Sequence, residues 1–258
     1  MTYAHRLTYP ALMAAALISC GVPAASNAAP YYVQGRVVDS QGKPLKGAKV
    51  VMDVYNWNDT NIDHSTRSYD DTDKVAITDA AGNYRVRVGD GGWRVHGSIE
   101  KSYNGDTFSL PLHPDNPNWV PGKEGGVRNM AWKLTGKIPD EIGGGFYGGT
   151  VEVVTTYESG FREESYPQVE LTLEPVGPLI DGSAGTALTR KPDRDGNIKD
   201  VPIGRYRVQA RLGGRPLTLR LDDNQSPFQQ STVVDFKSRG DSNWGYCINC
   251  VQIELRKR

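Results

Sequence analysis

The sequence predicts an all-β chain: two tandem β-sandwiches behind an N-terminal export segment. Three observations predict it. Apolar and polar residues alternate in short runs such as 49–54 and 83–88, which gives each strand one face to bury. Glycine (29) and proline (16) are abundant in the 258 residues and punctuate those runs, as turns between short strands require. No stretch sustains the 3.6-residue repeat of an amphipathic helix. The 30 Lys and Arg balance 30 Asp and Glu, for a formal net charge of zero. With no basic stripe along the chain, nucleic acid is not an expected partner.

Residues 1–29 read as a signal peptide. Arg6 supplies the positive start, Leu7 to Ser19 the apolar stretch and Ser26-Asn27-Ala28 a small-residue cleavage site. Leu17-Ile18-Ser19-Cys20, followed by Gly21, equally fits a lipobox in which Cys20 is lipidated and becomes the new N-terminus. The first reading yields a soluble exported protein, periplasmic or extracellular; the second yields one tethered to the outer membrane. Past residue 29 no apolar run approaches the ~18–20 residues that span a bilayer. A membrane therefore enters only through that anchor.

The first sandwich is placed at 30–136. It opens with a strand from Tyr31, turns on Gly42, Pro44 and Gly47, and continues with Val50, Met52 and Val54 on one face. A turn at Asp79–Asn83 leads into Tyr84, Val86 and Val88, again on one face. Trp93–Ile99 and Phe108–Leu112 read as strands around an Asn104-Gly105-Asp106 turn. Residues 113–126 are dense in Pro, Gly and Asn and read as a long loop, and Val127–Leu134 closes the unit. Residues 137–148, with the run Gly143-Gly144-Gly145, suit a connection between domains. Residues 149–258 read as a second copy. Gly149-Thr150-Val151 and Gly196-Asn197 each fall 114 residues after Gly35-Arg36-Val37 and Gly82-Asn83, a register that predicts a tandem repeat. Its last strands are expected at Pro216–Leu221, Ser231–Phe236 and Val251–Arg256.

These motifs carry a resemblance. Gly35-Arg36-Val37, the run Asp39-Ser40-Gln41-Gly42-Lys43-Pro44-Leu45-Lys46-Gly47-Ala48-Lys49-Val50, and Thr78-Asp79-Ala80-Ala81-Gly82-Asn83-Tyr84 together resemble the carboxypeptidase-regulatory-like family. That family has a transthyretin-like or Cna-B-like, immunoglobulin-like β-sandwich. Asp195 to Val208 resembles the Cna-B-like repeat signature. The resemblance implies the sandwich fold and is silent on function, because such modules accompany many unrelated activities.

The family is named after a companion of zinc peptidases, so zinc is the first chemistry to weigh. Of the histidines outside the signal, His64, His96 and His113, none stands in an H-x-x-E or H-x-H arrangement. They read as surface or turn residues, and no cofactor is expected. Ser242, in Gly240-Asp241-Ser242-Asn243, lacks a following base and reads as a surface turn. It overlaps an Arg239-Gly240-Asp241 tripeptide. Asp193, Asp195, Asn197 and Asp200 offer calcium ligands, against the plainer reading of a hairpin turn. Cys247 and Cys250 survive processing as a pair. In a straight strand their Cα atoms would stand ~10 Å apart, beyond disulfide reach, so a bond between them requires a tight turn before the last strand. Trp57, Trp119, Trp244 and Tyr246 lie in amide-rich segments and are candidate sugar-stacking rings. The competing reading has them capping the sandwich ends.

The expectation is a non-catalytic binding or structural module of the bacterial cell envelope. The loops 56–73, 113–126 and 237–249 would be its contact surfaces, and an envelope protein or polysaccharide its partner. The alternative is a carbohydrate-binding protein using the loop tryptophans, and a third reading is an enzyme with an unrecognised site.

Overall fold

The computed structural model describes residues 28–54, 73–223, 226–242 and 245–257. The architecture is all-β. In the first half, β1 (Tyr32–Val38), β2 (Lys49–Val54), β3 (Lys74–Ile77), β4 (Asn83–Arg87), β5 (Gly92–Tyr103), β6 (Asp106–Pro114), β7 (Val120–Pro121), β8 (Gly126–Val127) and β9 (Met130–Trp132) are linked in the order β3-β2-β5-β6-β9-β1-β4. β6 is the corner: its residues 106–111 pair with β5 and 112–114 with β9. The sheet thus folds over a core of Val33, Val50, Met52, Tyr84, Val95, Phe108, Leu110 and Trp132. Alternation puts these on one face, and burying each large side chain contributes roughly 1.5–3 kcal/mol.

In the second half, β10 (Gly149–Val154), β11 (Val169–Pro175), β12 (Leu188–Arg190), β13 (Asn197–Val201), β14 (Arg205–Leu212), β15 (Arg215–Pro216), β16 (Thr218–Leu221), β17 (Thr232–Asp235), β18 (Lys237–Ser242) and β19 (Gly245–Arg256) form two sheets. One runs β13-β10-β19-β16 with β18 on β19; the other runs β12-β11-β14-β15 with β17 on β14. Tyr206, Val208 and Ala210 alternate inward from β14 to meet Val151, Val153, Leu219, Ile253 and Leu255.

The two halves repeat a topology. β1 pairs antiparallel with β4 and parallel with β9; β10 pairs antiparallel with β13 and parallel with β19. β2 lies between β3 and β5 as β11 lies between β12 and β14. Gly82 and Gly196, aligned by the sequence register, occupy the same place in the same turn. Asp79 Oδ1 accepts the N–H groups of Ala81 and Asn83 at 2.9 and 2.8 Å, and Asp193 Oδ1 those of Asp195 and Asn197 at 3.0 and 2.9 Å. Asp39 builds the same turn with Gln41 and Lys43. The glycine one place before the end of each turn is left-handed, with φ of 79° at Gly42, 76° at Gly82 and 84° at Gly196.

The glycine-rich stretch between the halves is a folded loop. Ile138 N–H donates to Gly145 O and Tyr147 N–H to Gly136 O, both at 2.9 Å, and Ile138, Ile142 and Tyr147 form a small core of their own. Asp200, itself left-handed, accepts the N–H groups of Gly136 and Gly148.

A second joint is made by the tip of the β5–β6 hairpin. Asn104 and Gly105, both at positive φ, form the tight turn that the Asn-Gly pair predicts. Tyr103 OH donates to Pro178 O at 2.8 Å and accepts Arg205 N–H at 3.1 Å. Asn104 Nδ2 donates to Asp235, which also takes a two-pronged contact from Arg205. Asp106 accepts from both the N–H and the hydroxyl of Ser238, at 2.7 and 2.9 Å. Ser40 adds a hydroxyl bond to Asp181 at 2.6 Å.

The C-terminal part of the chain departs from expectation. The expected loop at 237–249 is instead the antiparallel pair β18 and β19. Lys237, Ser238 and Arg239 are polar on both faces, so the stretch lacks the apolar alternation that marks a strand; its pairing with β19 defines it. Cys247 and Cys250 stand at disulfide distance, with Cα atoms 5.9 Å apart. The two cysteines lie within β19, shortened because Asn249 between them adopts φ of 50°.

Candidate functional site

The face of β2 and β5 opposite the core carries a polar cluster. Met52 and Val95 point inward, so Asp53, Arg94 and His96 point outward. Asp53 stands directly across from Arg94. Its Oδ2 accepts from Arg94 Nε and Nη2 at 3.1 and 2.8 Å, and His96 Nε2 lies 3.2 Å from Oδ1. All three side chains are mostly covered. Burial pushes the Asp53 carboxyl up, but the bonds and charges of His96 and Arg94 outweigh it and hold the group below its ordinary value. The carboxylate is therefore ionised at neutral pH and anchors both partners.

Trp119 borders this cluster. Its ring is 38% exposed and lies 6.0 Å from the Arg94 guanidinium. Arg128 fixes the segment that carries it. One terminal nitrogen donates to Val127 O at 2.8 Å; the other donates to Asn118 O at 2.9 Å and reaches Trp119 O at 3.4 Å. Tyr84 OH donates in turn to Arg128 O at 2.7 Å, which ties the Trp119 loop to the core of β4. The arrangement offers a half-open aromatic plane beside a guanidinium, an imidazole and a carboxylate. Those are the groups that stack on and hydrogen-bond to a hydroxylated ring.

The other expected residues are dispersed. Trp57, Trp244 and Cys20 lie outside the described residues, and Tyr246 is placed only as backbone of β19. Of the four candidate rings, Trp119 alone has a described environment. Asp193 and Asp200 spend their carboxylates separately, the first on its own turn and on Lys199 at 3.0 Å, the second on the connecting loop. Among the described residues no group of three or more His, Cys, Asp and Glu side chains gathers closely enough for a metal ion.

The reading of the histidines as surface or turn residues is corrected for two of them. His96 and His113 lie in β5 and β6, partly buried and partnered. Burial and nearby Lys133 lower the His113 pKa against an opposing effect of Asp115, and burial raises Tyr147 to about 12. Tyr147 OH thus donates to a neutral His113 Nδ1 at 2.9 Å. The Arg239-Gly240-Asp241 tripeptide lies in paired strand β18 and is no loop. Gly240 faces the disulfide: a Cβ there would stand 2.9 Å from Cys250 Sγ and 3.1 Å from Cys247 Sγ. The Asp53 cluster was missed because its residues belong to two segments about forty positions apart. Its signal was Arg94 and His96 at alternate places in a strand whose other face is apolar.

No protein-family model matches this chain, and no curated protein does. Among solved structures, it is similar to the Bacillus anthracis TIE protein at 12% identity and a TM-score of 0.31, covering 88% of this chain but 34% of that one. It is also similar to a Streptococcal ancillary pilin, at 14% identity and a TM-score of 0.26, over 88% of this chain and 69% of that one. A C-terminal fragment of the pilus adhesin SpaC from Lactobacillus rhamnosus GG matches at 12% identity and a TM-score of 0.27, over 88% of this chain and 96% of the fragment. The chain spans about a third of the length of the first of these. Values this low carry no argument about function.

Proposed function

We propose that this chain is an exported, non-catalytic binding or structural module of the bacterial cell envelope. In this reading it is built from two tandem β-sandwich units, 30–136 and 149–258, and works as one rigid body. The observation that carries the reading is the joint. The β5–β6 tip, Asp181 and the folded connecting loop fix the halves to each other through charged and backbone bonds. A rigid body is what a structural spacer or a preorganised binding surface needs. The export signal supplies the address, and a Cys247–Cys250 disulfide suits an oxidising compartment.

Co-sedimentation of the processed protein with isolated envelope material tests this, with the soluble fraction assayed for released fragments with and without divalent metals. Retention without turnover is the expected result, and released product would establish an enzyme instead. Trp119 beside Arg94 and Asp53 favours a second reading, in which the ligand is a neutral glycan stacked on that ring. Envelope polysaccharides should then quench tryptophan fluorescence in the wild type, and Trp119→Ala should abolish the change.

A further inference from the structure

Arginines recur on the outward faces of both halves, and those of β14 and of the β1–β4 pair differ in their cross-strand neighbours. On β14 three of them face a carboxylate across the ladder: Arg205 faces Asp235, with which it forms an ion pair, Arg207 faces Glu174 and Arg211 faces Glu170. In the first half, β1 and β4 turn Arg36, Arg85 and Arg87 outward, and their cross-strand neighbours are Asn83, Gln34 and Tyr32. None of the three makes an ion pair among the described residues, where the pairs found are those of Arg94, His96, Lys137, Lys199, Arg205 and Arg220. Asn129 Oδ1 accepts the backbone N–H of Arg36 at 3.0 Å, and its amide donates to Asp115 Oδ2 at 2.9 Å. A protein of zero net charge has left one sheet face locally cationic.

The face is also preformed. The Arg85 guanidinium carbon lies over the Tyr32 ring, 4.1 Å from its centroid, and Arg36 Nε donates to Ala81 O at 3.2 Å. Each contact restrains a planar guanidinium on this face. The three arginines fall on successive cross-strand rows roughly 7 Å apart, Arg36 on β1 and Arg85 and Arg87 on β4, the last strand in the sheet order.

We propose that the β1–β4 face is a binding site for an acidic polysaccharide, which lies along the strands and places successive carboxylates on Arg36, Arg85 and Arg87. Tyr32, Gln34 and Asn83 alternate with the arginines and supply ring and amide contacts to sugar hydroxyls. The outward positions carry no aliphatic side chain of the kind that enters a bilayer. The site is separate from the Trp119 cluster and does not depend on it.

The test uses the processed full chain and immobilised polygalacturonate at low salt, with neutral dextran, phosphatidylglycerol vesicles and single-stranded DNA as the other arms. The wild type should bind polygalacturonate but not dextran, with affinity falling as salt rises. Arg85→Gln/Arg87→Gln should weaken binding at least about tenfold, roughly 1.4 kcal/mol. Arg207→Gln/Arg211→Gln removes the same net charge from the matched face and should leave binding unchanged, as should Trp119→Ala. Arg87→Glu alone keeps the Arg85–Tyr32 contact and should give the same loss if the double variant misfolds. Absence of wild-type binding, equal losses in the two arginine pairs, or tighter binding to vesicles or DNA would overturn the proposal. Loss of envelope retention with polygalacturonate binding intact would count against the envelope reading alone.

Discussion

Two glycines show how sequence chemistry and fold constrain each other at single positions. Gly82 and Gly196 sit at positive φ, and a Cβ on either would stand 2.4 Å from Val37 O or 2.5 Å from Val153 O. Those carbonyls belong to the strands that the turns pack against, so the backbone cannot yield cheaply. Gly82→Val should therefore destabilise the protein by more than ~1 kcal/mol, read as a lowered midpoint in denaturant. An unchanged midpoint would reject the turn geometry. Both turns were legible because Asp, Gly and Asn at fixed spacing carry their own local hydrogen bonds. Asp53, Arg94 and His96 were not, because no local rule makes a carboxylate choose partners forty residues away. The pairing register of β2 with β5 brings them together.

Among the elements, the β5–β6 hairpin has the widest reach. Alternation and the Asn-Gly pair made it readable as a hairpin. That its tip docks on Pro178, Arg205, Asp235 and Ser238 was not readable, since Tyr103, Asn104 and Asp106 look like ordinary turn polarity. Tyr103→Phe removes one hydroxyl that both donates and accepts across the joint, leaving Arg205 N–H and Pro178 O to water. A loss of about 1 kcal/mol is expected, with faster hydrogen exchange at Arg205 than in the wild type. Protection unchanged at that amide would remove the tip from the joint. β18 teaches the opposite lesson. Its polar residues conceal a strand that β19 specifies by pairing, so periodicity alone fails where neither face of a strand is markedly apolar.

For the whole molecule, the carboxylates at the joint set an acid limit. Asp106 is held below its ordinary value of 3.8 chiefly by the Ser238 N–H. Asp235 is held there chiefly by Arg205. Burial pushes Asp181 up, and the Ser183 and Ser40 hydroxyls more than reverse it. A carboxyl whose folded pKa is depressed contributes fully above its unfolded pKa and loses that contribution as pH falls through the folded one. The joint should hold above pH 3.8 and weaken progressively below it. Thermal unfolding should then show a falling midpoint below that pH, with separate transitions for the halves. The triple variant Asp106→Asn/Asp181→Asn/Asp235→Asn should start lower but lose less across the same window; an equal slope would place the acid sensitivity elsewhere.

The parallel pairing of β10 with β19 has a mechanical consequence. Five residue pairs, from Thr150 with Cys250 to Val154 with Glu254, lie side by side along the two strands. Tension drawn along the polypeptide enters this half at the start of β10 and leaves it at the end of β19, so it pulls the two strands past each other lengthwise. Every hydrogen bond in the ladder is then loaded at once and must rupture together, whereas a hairpin pulled from its open end peels bond by bond. The first half repeats the device, with β1 parallel to β8 and β9. A sandwich wired this way should resist stretching along its strands better than one whose terminal strands form a hairpin.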